Sequence, residues 1–407
     1  MNSNKSSSIY SNSNGSNNSN NSNTSYDSSD SNGDSSDSED DSIDWTGHII
    51  NNKYIILNQL GHGSYCTVWN TYDIESKNLY AFKIYNLDDT EDGFNEKNIL
   101  DIIKSYKLNN VILYNKSFEY EYEDNKYLIC IMEQCGYSLN EIRKLFREVI
   151  KIDNEINLNY FIFITKTQSV IINILENLHK NGYAHTDIKP ENILITIPRL
   201  ESIIIHERIK AIHNQFKKQK NIKILENISK SCNDIIENID LSDKLIIDYL
   251  SNFNFDIKLC DFGTCLKFGD NTIYKKHTTY YKSPKIILKF PLDNTYDYWS
   301  LGCTLYELIT GEVLFNPFDD DLISLYDDIE DINLMYLIAS SIGLPPLNMI
   351  NNSKISDVIF TFDKKCIRGF KTIKFNNFIQ NMLNLETDSN KKILYNLINY
   401  VINNVKY

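Results

Sequence analysis

The stretch His185-Thr-Asp-Ile-Lys-Pro-Glu-Asn192 decides how this chain is interpreted. Asp187 is an acid that could accept the proton of a hydroxyl group, and Lys189 adds a positive charge close by. Asn192 offers an amide oxygen, a donor that suits a hard divalent cation. One octapeptide could arise by chance, so its meaning depends on the motifs around it.

Further motifs stand on both sides of this loop. Upstream are Gly61-His-Gly-Ser-Tyr-Cys-Thr-Val68 and Ala81-Phe-Lys83; downstream are Asp261-Phe-Gly263, Ser283-Pro-Lys285 and Asp297-Tyr-Trp-Ser-Leu-Gly302. A glycine-rich turn alone is weak evidence, because such turns are common. The ordered set is strong evidence, since a site for phosphoryl transfer needs a phosphate-binding turn, a lysine, a base and metal-binding acids.

Together these motifs make residues 54–407 resemble a eukaryotic-type protein kinase catalytic domain. The loop His185–Leu194, with Thr186 before the acid, is similar to the loops of SR-protein kinases and CDC-like kinases in the CMGC group. The resemblance implies an α+β, bilobal fold with a small, mostly β N-lobe (54–135) and a larger, mostly α C-lobe (136–407). It also implies transfer of the ATP γ-phosphate to serine or threonine hydroxyls of proteins, with Mg²⁺.

The hydrophobic pattern predicts the same two lobes. Apolar and β-branched runs predict strands from Tyr54 and at 67–73, 79–85 and 127–132, and 94–103 has helical spacing. After Gly136 the pattern is helical. It predicts an amphipathic helix at 139–150 and a long one at 158–180, which ends at the C-cap signal Asn181-Gly182.

The resemblance implies a role for each polar residue of the catalytic loop. Asp187 would be the base, and Lys189 would balance charge on the transferred group and mark a serine/threonine kinase. Thr278 would add a hydroxyl contact to Asp187. Asn192 and Asp261 would bind Mg²⁺. A buried acid could instead be a structural cap, but the joint spacing argues against that interpretation.

ATP is expected between the lobes. Lys83 would contact the α- and β-phosphates and needs a carboxylate to hold it, for which Glu96 is preferred to Glu91. Cys66 replaces the usual third glycine of the turn, and Met132 precedes a hinge. The predicted ATP-binding residues are Leu60, Gly61, His62, Gly63, Ser64, Tyr65, Cys66, Thr67, Val68, Ala81, Lys83, Glu96, Glu133, Cys135 and Leu194.

Two positions depart from the family pattern. Thr186 replaces an arginine that can pair with a phosphate on the activation loop, so we hypothesise that this chain needs no such phosphate. Lys285 replaces the glutamate of the family's Ala-Pro-Glu, whose arginine partner would fall near Asn390 or Lys391. Because losing both members of a buried pair can be nearly neutral, we predict that the change is tolerated.

Two segments lie outside the family pattern. Residues 1–44 are rich in Ser, Asn and Asp and nearly lack aliphatic side chains, which predicts a disordered tail. Residues 199–254 form an insert between the catalytic loop and Asp261, with helix-like stretches at 203–220 and 222–250. We expect this insert to be a solvated peripheral excursion rather than a docking or targeting element.

Composition limits the other function classes. The net charge of −13 argues against a nucleic-acid-binding body and suits basic or Ser/Arg-rich protein substrates. No apolar run approaches the roughly 20 residues of a membrane helix, and the eight cysteines contain no CxxC pair. These features predict a soluble, intracellular monomer.

Two other functions compete with that of an active serine/threonine kinase. A pseudokinase or scaffold would use the same fold without turnover, and only Lys285 and Cys66 favour it, since Lys83, Asp187 and Asp261 are all present. A small-molecule kinase is disfavoured by the segment Thr278–Pro284, which resembles a protein-substrate segment. Cys260, beside Asp261, could react with electrophiles, but an inert buried thiol is favoured.

Overall fold

The structure is a computed structural model. It describes residues 43–63, 66–87, 92–150, 154–216, 222–239, 245–246, 254–270, 278–318, 329–367, 396, 399–400 and 403. The chain divides after Asp44, and Trp45–Tyr407 form one compact unit. The predicted tail lies almost wholly outside the described residues.

A six-stranded antiparallel sheet forms the N-lobe, with the strand order β1-β2-β3-β4-β6-β5. The strands are β1 (Ile49–Ile50), β2 (Tyr54–Gly63), β3 (Cys66–Asp73), β4 (Leu79–Asn86), β5 (Tyr114–Tyr122) and β6 (Asn125–Glu133). Helix α1 (Asp92–Ser105) packs on this sheet through Leu100 and Ile103, both 2% exposed. The predicted strands and helix of this lobe are therefore present.

Two parts of the N-lobe were not predicted. Trp45 is 2% exposed and packs against an aromatic group that includes Tyr122 and Tyr127, so the packed unit begins before the predicted boundary at Tyr54. Strand β5 was also missed. Its sequence, Tyr-Asn-Lys-Ser-Phe-Glu-Tyr-Glu-Tyr, alternates aromatic and charged residues, a pattern that indicates a strand with one solvated face.

The C-lobe is mostly helical. Its main helices are α2 (Leu139–Ile150), α3 (Asn154–Lys180), α6 (Pro284–Ile287), α7 (Thr295–Thr310), α8 (Ile329–Ile342), α9 (Leu347–Asn352) and α10 (Ser356–Ile359). Helix α3 ends as predicted at Asn181-Gly182, where Gly182 takes a left-handed φ of 79°. Helix α7 contributes Trp299, Leu301 and Leu305 to the core and forms the centre of the lobe.

Short strand pairs hold the loops between these helices. Strand β7 (Tyr183–Ala184) pairs with β10 (Leu266–Lys267), and β8 (Ile193–Ile195) pairs with β9 (Ile257–Leu259). Strand β7 leads into the loop that contains Asp187, and strand β9 leads into Asp261. These pairs help to place His185 beside Cys260, 75 positions further along the chain.

The insert is not a solvated excursion, and that prediction was wrong. Its described part contains helices α4 (Leu200–Phe216) and α5 (Ile222–Glu237), which pack on the face of the N-lobe sheet formed by β2 and β3. The buried contact group consists of Ile205, Ile209, Ile228, Cys232 and Ile235 of the insert, with Ile55, Leu57 and Tyr72 of the sheet.

The sequence contains the reason for this packing. Tyr54-Ile-Ile-Leu57 is an unbroken apolar run, whereas a strand with one solvated face alternates apolar and polar residues. Both faces of β2 therefore need a cover. The insert covers the face that contains Ile55 and Leu57.

Polar contacts fix the position of α4. Buried Asn70 of β3 donates to the Ser202 hydroxyl at 3.3 Å, and His206 Nε2 donates to the Lys77 carbonyl at 2.9 Å. At the start of the helix, Arg199 binds Glu141 of α2 at 2.8 Å. The helix is thus fastened to the N-lobe sheet and to a C-lobe helix.

We predict that Ile209→Ala lowers the free energy of unfolding by about 2–5 kcal/mol, because it removes a fully buried side chain and leaves a cavity. Chemical denaturation of the whole chain measures the effect. The matched control is Ile204→Ala on the same helix, where the side chain is only partly buried and a smaller loss is expected. Equal, negligible losses in both variants would mean that the insert does not pack on the sheet.

Candidate active site

Asp297, in the first turn of α7, holds the backbone of the catalytic loop. Its carboxylate is fully buried and accepts the backbone N–H groups of His185 at 2.9 Å and Thr186 at 2.8 Å. His179 donates to the same carboxylate at 2.8 Å. Thr186 adopts a left-handed φ of 70°, a strained conformation for a β-branched residue. The two N–H contacts to Asp297 stabilise this turn, which places Asp187 next.

The loop is also bound to the Asp261-Phe-Gly263 segment. His185 Nε2 donates to the Cys260 carbonyl at 2.9 Å, and the Thr186 hydroxyl donates to the Thr264 carbonyl at 2.7 Å. The Cys260 N–H donates to the Asn192 carbonyl at 3.0 Å. The residue that replaces the usual arginine therefore binds the start of the activation segment through its hydroxyl group.

Asp187 lies at the centre of a polar group. Its Oδ1 accepts the Thr278 hydroxyl at 2.8 Å, and its Oδ2 lies 2.8 Å from Lys189 Nζ and 2.9 Å from Asn192 Nδ2. Lys189 also donates to the Thr278 hydroxyl oxygen at 2.8 Å. Burial alone would lower the pKa of Lys189, but the adjacent Asp187 carboxylate raises it above its ordinary value. The lysine is therefore charged.

Lys83 and Glu96 form the second polar group. Lys83 Nζ donates to both oxygens of Glu96, at 2.9 and 2.7 Å, and to Asp261 Oδ1 at 2.8 Å. Lys83 is 7% and Glu96 2% exposed. Burial opposes the charge on Lys83, but Asp261 and Glu96 raise its pKa well above the ordinary value. Lys83 in turn lowers the pKa of Asp261 to about 2, so that this carboxylate is ionised.

The predicted phosphate-binding turn is the β2–β3 hairpin. Leu60, Gly61, His62 and Gly63 end β2, and Cys66, Thr67 and Val68 begin β3; Ser64 and Tyr65 lie outside the described residues. Val68 pairs with Lys83 across β3 and β4, which places the turn beside the lysine. A Cβ on Gly61 would meet no atom of the described residues within 4 Å. Packing against the described part of the chain therefore does not require glycine there.

The predicted hinge follows β6. Ala81 pairs with Met132, and Leu194 forms a bridge to Ser138, so both lie beside the segment that contains Glu133 and Cys135. The Glu133 N–H donates to the Leu113 carbonyl at 2.9 Å. The Glu133 N–H is therefore already engaged within the protein. The Glu133 carboxylate binds Lys258, a contact that the sequence did not suggest.

The sequence marks Gly136 only as a boundary between the lobes, but the structure requires glycine at this position. A Cβ there would overlap the Ile197 carbonyl and the Ile195 side chain. The Gly136 N–H donates to the Ile195 carbonyl at 3.0 Å. Only glycine permits this approach of the hinge to β8.

Lys285 has a partner in the structure. Its Nζ lies 2.7 Å from Asp293 Oδ2, and both side chains are partly exposed. Burial would raise the pKa of Asp293, but the hydrogen bond from Lys285 contributes to a net lowering. Asn390 and Lys391, where the sequence placed the usual arginine, lie outside the described residues. Lys285 is thus paired with an acid that lies close to it in the sequence.

We predict that Lys285→Ala costs about 1 kcal/mol of stability or less, since a partly exposed ion pair contributes little. Phosphate transfer should stay within about twofold of the unmodified chain, because Lys285 touches none of the polar groups described above. Denaturation and a transfer assay on the same preparation measure both quantities. Loss of activity with an unchanged unfolding midpoint would show that the position acts on catalysis.

The remaining cysteines and acids form no second site among the described residues. All eight cysteines are free thiols, and burial raises the pKa of Cys260 well above its ordinary value. The Cys260 side chain is only partly buried, so the preference for an inert buried thiol stays a prediction. Within the described ranges, no three His, Cys, Asp or Glu side chains gather around a common point, and no helix has the length and apolar character to span a bilayer.

The polar groups define the class of the protein. A buried lysine–glutamate pair joined to an ionised aspartate, above an Asp–Lys–Asn loop, is the arrangement of a nucleotide-dependent phosphotransferase. The protein kinase domain family matches residues 54–206 and 237–392, and the chain belongs to this family. The unmatched residues 207–236 include the second part of α4 and most of α5.

Similar proteins are named as serine/threonine-protein kinases. A protein of Acanthamoeba polyphaga mimivirus named as a serine/threonine-protein kinase is 24% identical over 85% of this chain and 81% of its own length. The serine/threonine-protein kinase AFC1 of Arabidopsis thaliana is 23% identical over 77% of this chain, which spans 57% of AFC1. The prp4 kinase of Schizosaccharomyces pombe is 23% identical over 65% of this chain, which spans 43% of prp4. The prediction of a serine/threonine kinase of the CMGC group is confirmed.

Proposed function

We propose that this chain transfers the γ-phosphate of ATP to serine and threonine hydroxyls of protein substrates. The observation that carries the proposal is the convergence of four residues that are remote in sequence. Lys83 contacts Asp261, Asp187 contacts Asn192, and the backbone of Asn192 binds the residue before Asp261. One nucleotide could therefore touch all four.

Asp187 is the proposed base. Its Oδ1 already accepts a hydroxyl group, that of Thr278, which supports an orientation suited to a substrate hydroxyl. Lys189 binds the same carboxylate and would neutralise charge on the phosphoryl group as it moves. Thr278 joins the two side chains and would keep them in register. Phosphoryl transfer needs this positioning and charge balance more than it needs covalent chemistry.

Asn192 and Asp261 fit a magnesium ion. Asn192 uses its Nδ2 group to donate to Asp187, which leaves its amide oxygen available, and the Asp261 side chain is 42% exposed. One carboxylate and one amide oxygen are few protein donors, as expected when Mg²⁺ is held jointly by protein, phosphates and water. When bound, Mg²⁺ would neutralise negative charge on the phosphates.

The nucleotide itself would lie between β2–β3 and the hinge. Open space at Gly61 supports a phosphate in that position, because no atom of the described residues comes within 4 Å of where a Cβ would stand. Lys83 would bind the α- and β-phosphates, with Glu96 orienting it. Leu60–Val68, Ala81, Glu133, Cys135 and Leu194 would enclose the rest of the nucleotide.

The substrate class follows from the loop and the charge. Lys189 with Thr278 is the serine/threonine pattern, and the net charge of −13 favours basic or Ser/Arg-rich proteins. AFC1 and prp4 are both named serine/threonine-protein kinases, which agrees with serine and threonine as the proposed acceptors.

Transfer of labelled γ-phosphate from ATP to a panel of peptides tests the proposal. The panel contains Ser/Arg-rich, basic and neutral serine peptides, each matched with a tyrosine version. We expect phosphoserine or phosphothreonine that disappears when EDTA removes Mg²⁺. A chain that binds ATP without labelling any peptide would be a pseudokinase or scaffold, and labelled tyrosine alone would overturn the proposed specificity.

A further inference from the structure

Tyr85 lies beside the lysine–glutamate pair, and the sequence motifs gave it no role. It stands two residues after Lys83 on β4, so both side chains leave the same face of the sheet. Its hydroxyl donates to Glu96 Oε2, the oxygen that also receives Lys83 at 2.7 Å. The Lys83 ammonium lies 5.5 Å from the centre of the Tyr85 ring. Three side chains therefore share one buried polar group.

We propose that Tyr85 is a positioning residue, which holds Glu96 so that Glu96 keeps Lys83 aligned for the phosphates. The inference rests on the proposed function and deepens it. Lys83 has two acidic partners, since Asp261 also lies 2.8 Å away. A second hydrogen bond fixes the Glu96 carboxylate against the pull of the lysine, so that Lys83 remains between its partners and does not follow Asp261.

The Tyr85 side chain is enclosed by the residues around it. The residue is 2% exposed, and it pairs with Cys66 of β3 on one side and Leu128 of β6 on the other. A Cβ placed on Gly93 would come within 2.8 Å of Tyr85 Cγ. That distance is too short for a real carbon contact, and Cγ cannot swing away as the tip of a long side chain can.

Gly93 is in the first turn of α1, the helix that contains Glu96. The glycine lets this turn rest directly on the tyrosine ring. The ring therefore sets how closely the helix approaches β4, and the hydroxyl sets where the Glu96 carboxylate points. Helix position and carboxylate orientation both depend on one side chain.

The test compares Tyr85→Phe with Tyr72→Phe. Each change removes one hydroxyl group from a buried tyrosine of the same sheet. The Tyr72 hydroxyl does not contact Glu96 but faces His213 of α4, 3.4 Å away. We expect Tyr85→Phe to lower kcat/KM for ATP about tenfold, as for loss of a hydrogen bond to a charged group. The KM for the peptide should not change, and Tyr72→Phe should leave kcat/KM for ATP at the wild-type value.

A second measurement separates positioning from general stability. The dissociation constant for Mg·ATP is measured for Tyr85→Phe, Glu96→Ala and the double variant. If the hydroxyl acts through Glu96, Tyr85→Phe weakens ATP binding in the wild-type background and has no effect in the Glu96→Ala background. Equal weakening in both backgrounds, or equal kinetic losses in Tyr85→Phe and Tyr72→Phe, would overturn the inference.

The inference and the proposed function fail in different ways. Wild-type values for Tyr85→Phe, with an inactive Asp187→Asn, would remove the inference and keep the function. Absence of transfer by the unmodified chain would remove the function. The binding measurements would then still decide whether Tyr85 orients Glu96 toward a nucleotide.

Discussion

Asp187→Asn should lower kcat by about 10²–10⁴-fold, the range that a positioned acid or base contributes. Asparagine keeps the shape of the side chain and can still accept the Thr278 hydroxyl, but it cannot take a proton. It also removes the charge that binds Lys189 at 2.8 Å. Transfer of labelled γ-phosphate measures the loss, and an unchanged KM for ATP would assign it to the chemical step.

The matched control for this variant is Thr278→Ala. It deletes the hydroxyl that contacts both Asp187 and Lys189 and leaves the acid in place. We expect a smaller loss of kcat, because the base remains and only the contact that aligns it with Lys189 is removed. Equal labelling by the unmodified chain and by Asp187→Asn would mean that a contaminating kinase produced the signal.

Lys83→Met should affect both activity and stability. The lysine would no longer bind phosphates, and kcat/KM should fall by about 10²-fold or more, as when one electrostatic donor is removed from an active site. Glu96, 2% exposed, would at the same time lose its counter-charge. Breaking a buried ion pair from one side costs about 3–5 kcal/mol. Steady-state kinetics and chemical denaturation measure the two effects.

The double variant Lys83→Met/Glu96→Gln separates those effects. Glutamine carries no charge and can still accept the Tyr85 hydroxyl, so most of the lost stability should return. Activity should not return, because the cation is still absent. If the double variant were as unstable as Lys83→Met, an unpaired Glu96 charge could not be the cause of the instability.

The sequence predicted the parts of the site that short motifs encode. Within His185–Asn192, spacing alone places Asp187, Lys189 and Asn192 on one turn, and the structure brings them together. The choice of Glu96 over Glu91 also agrees with the observed pair, although Glu91 lies outside the described residues. In each case a local pattern was enough, because the partners are near in sequence or belong to a known ordered set.

Long-range contacts could not be read in the same way. Asp297 lies 112 positions after His185 in the chain. No local pattern predicts that its carboxylate binds the backbone of His185 and Thr186. The ring of Tyr85 looked like an ordinary strand residue. The pair Lys285–Asp293 was not predicted, because the family pattern places the partner of position 285 far away in the chain, whereas a nearby acid binds it here.

Helix α4 has a consequence for the catalytic cycle. Near one end it is bound through Arg199 to Glu141 of α2, and further along it lies flat on β2 and β3 through Ile205 and Ile209. It therefore connects the N-lobe sheet to a C-lobe helix. Any rotation of one lobe against the other must strain this connection at one end. Because release of product often needs such a rotation, we expect α4 to slow the exchange of ADP for ATP more than the transfer itself.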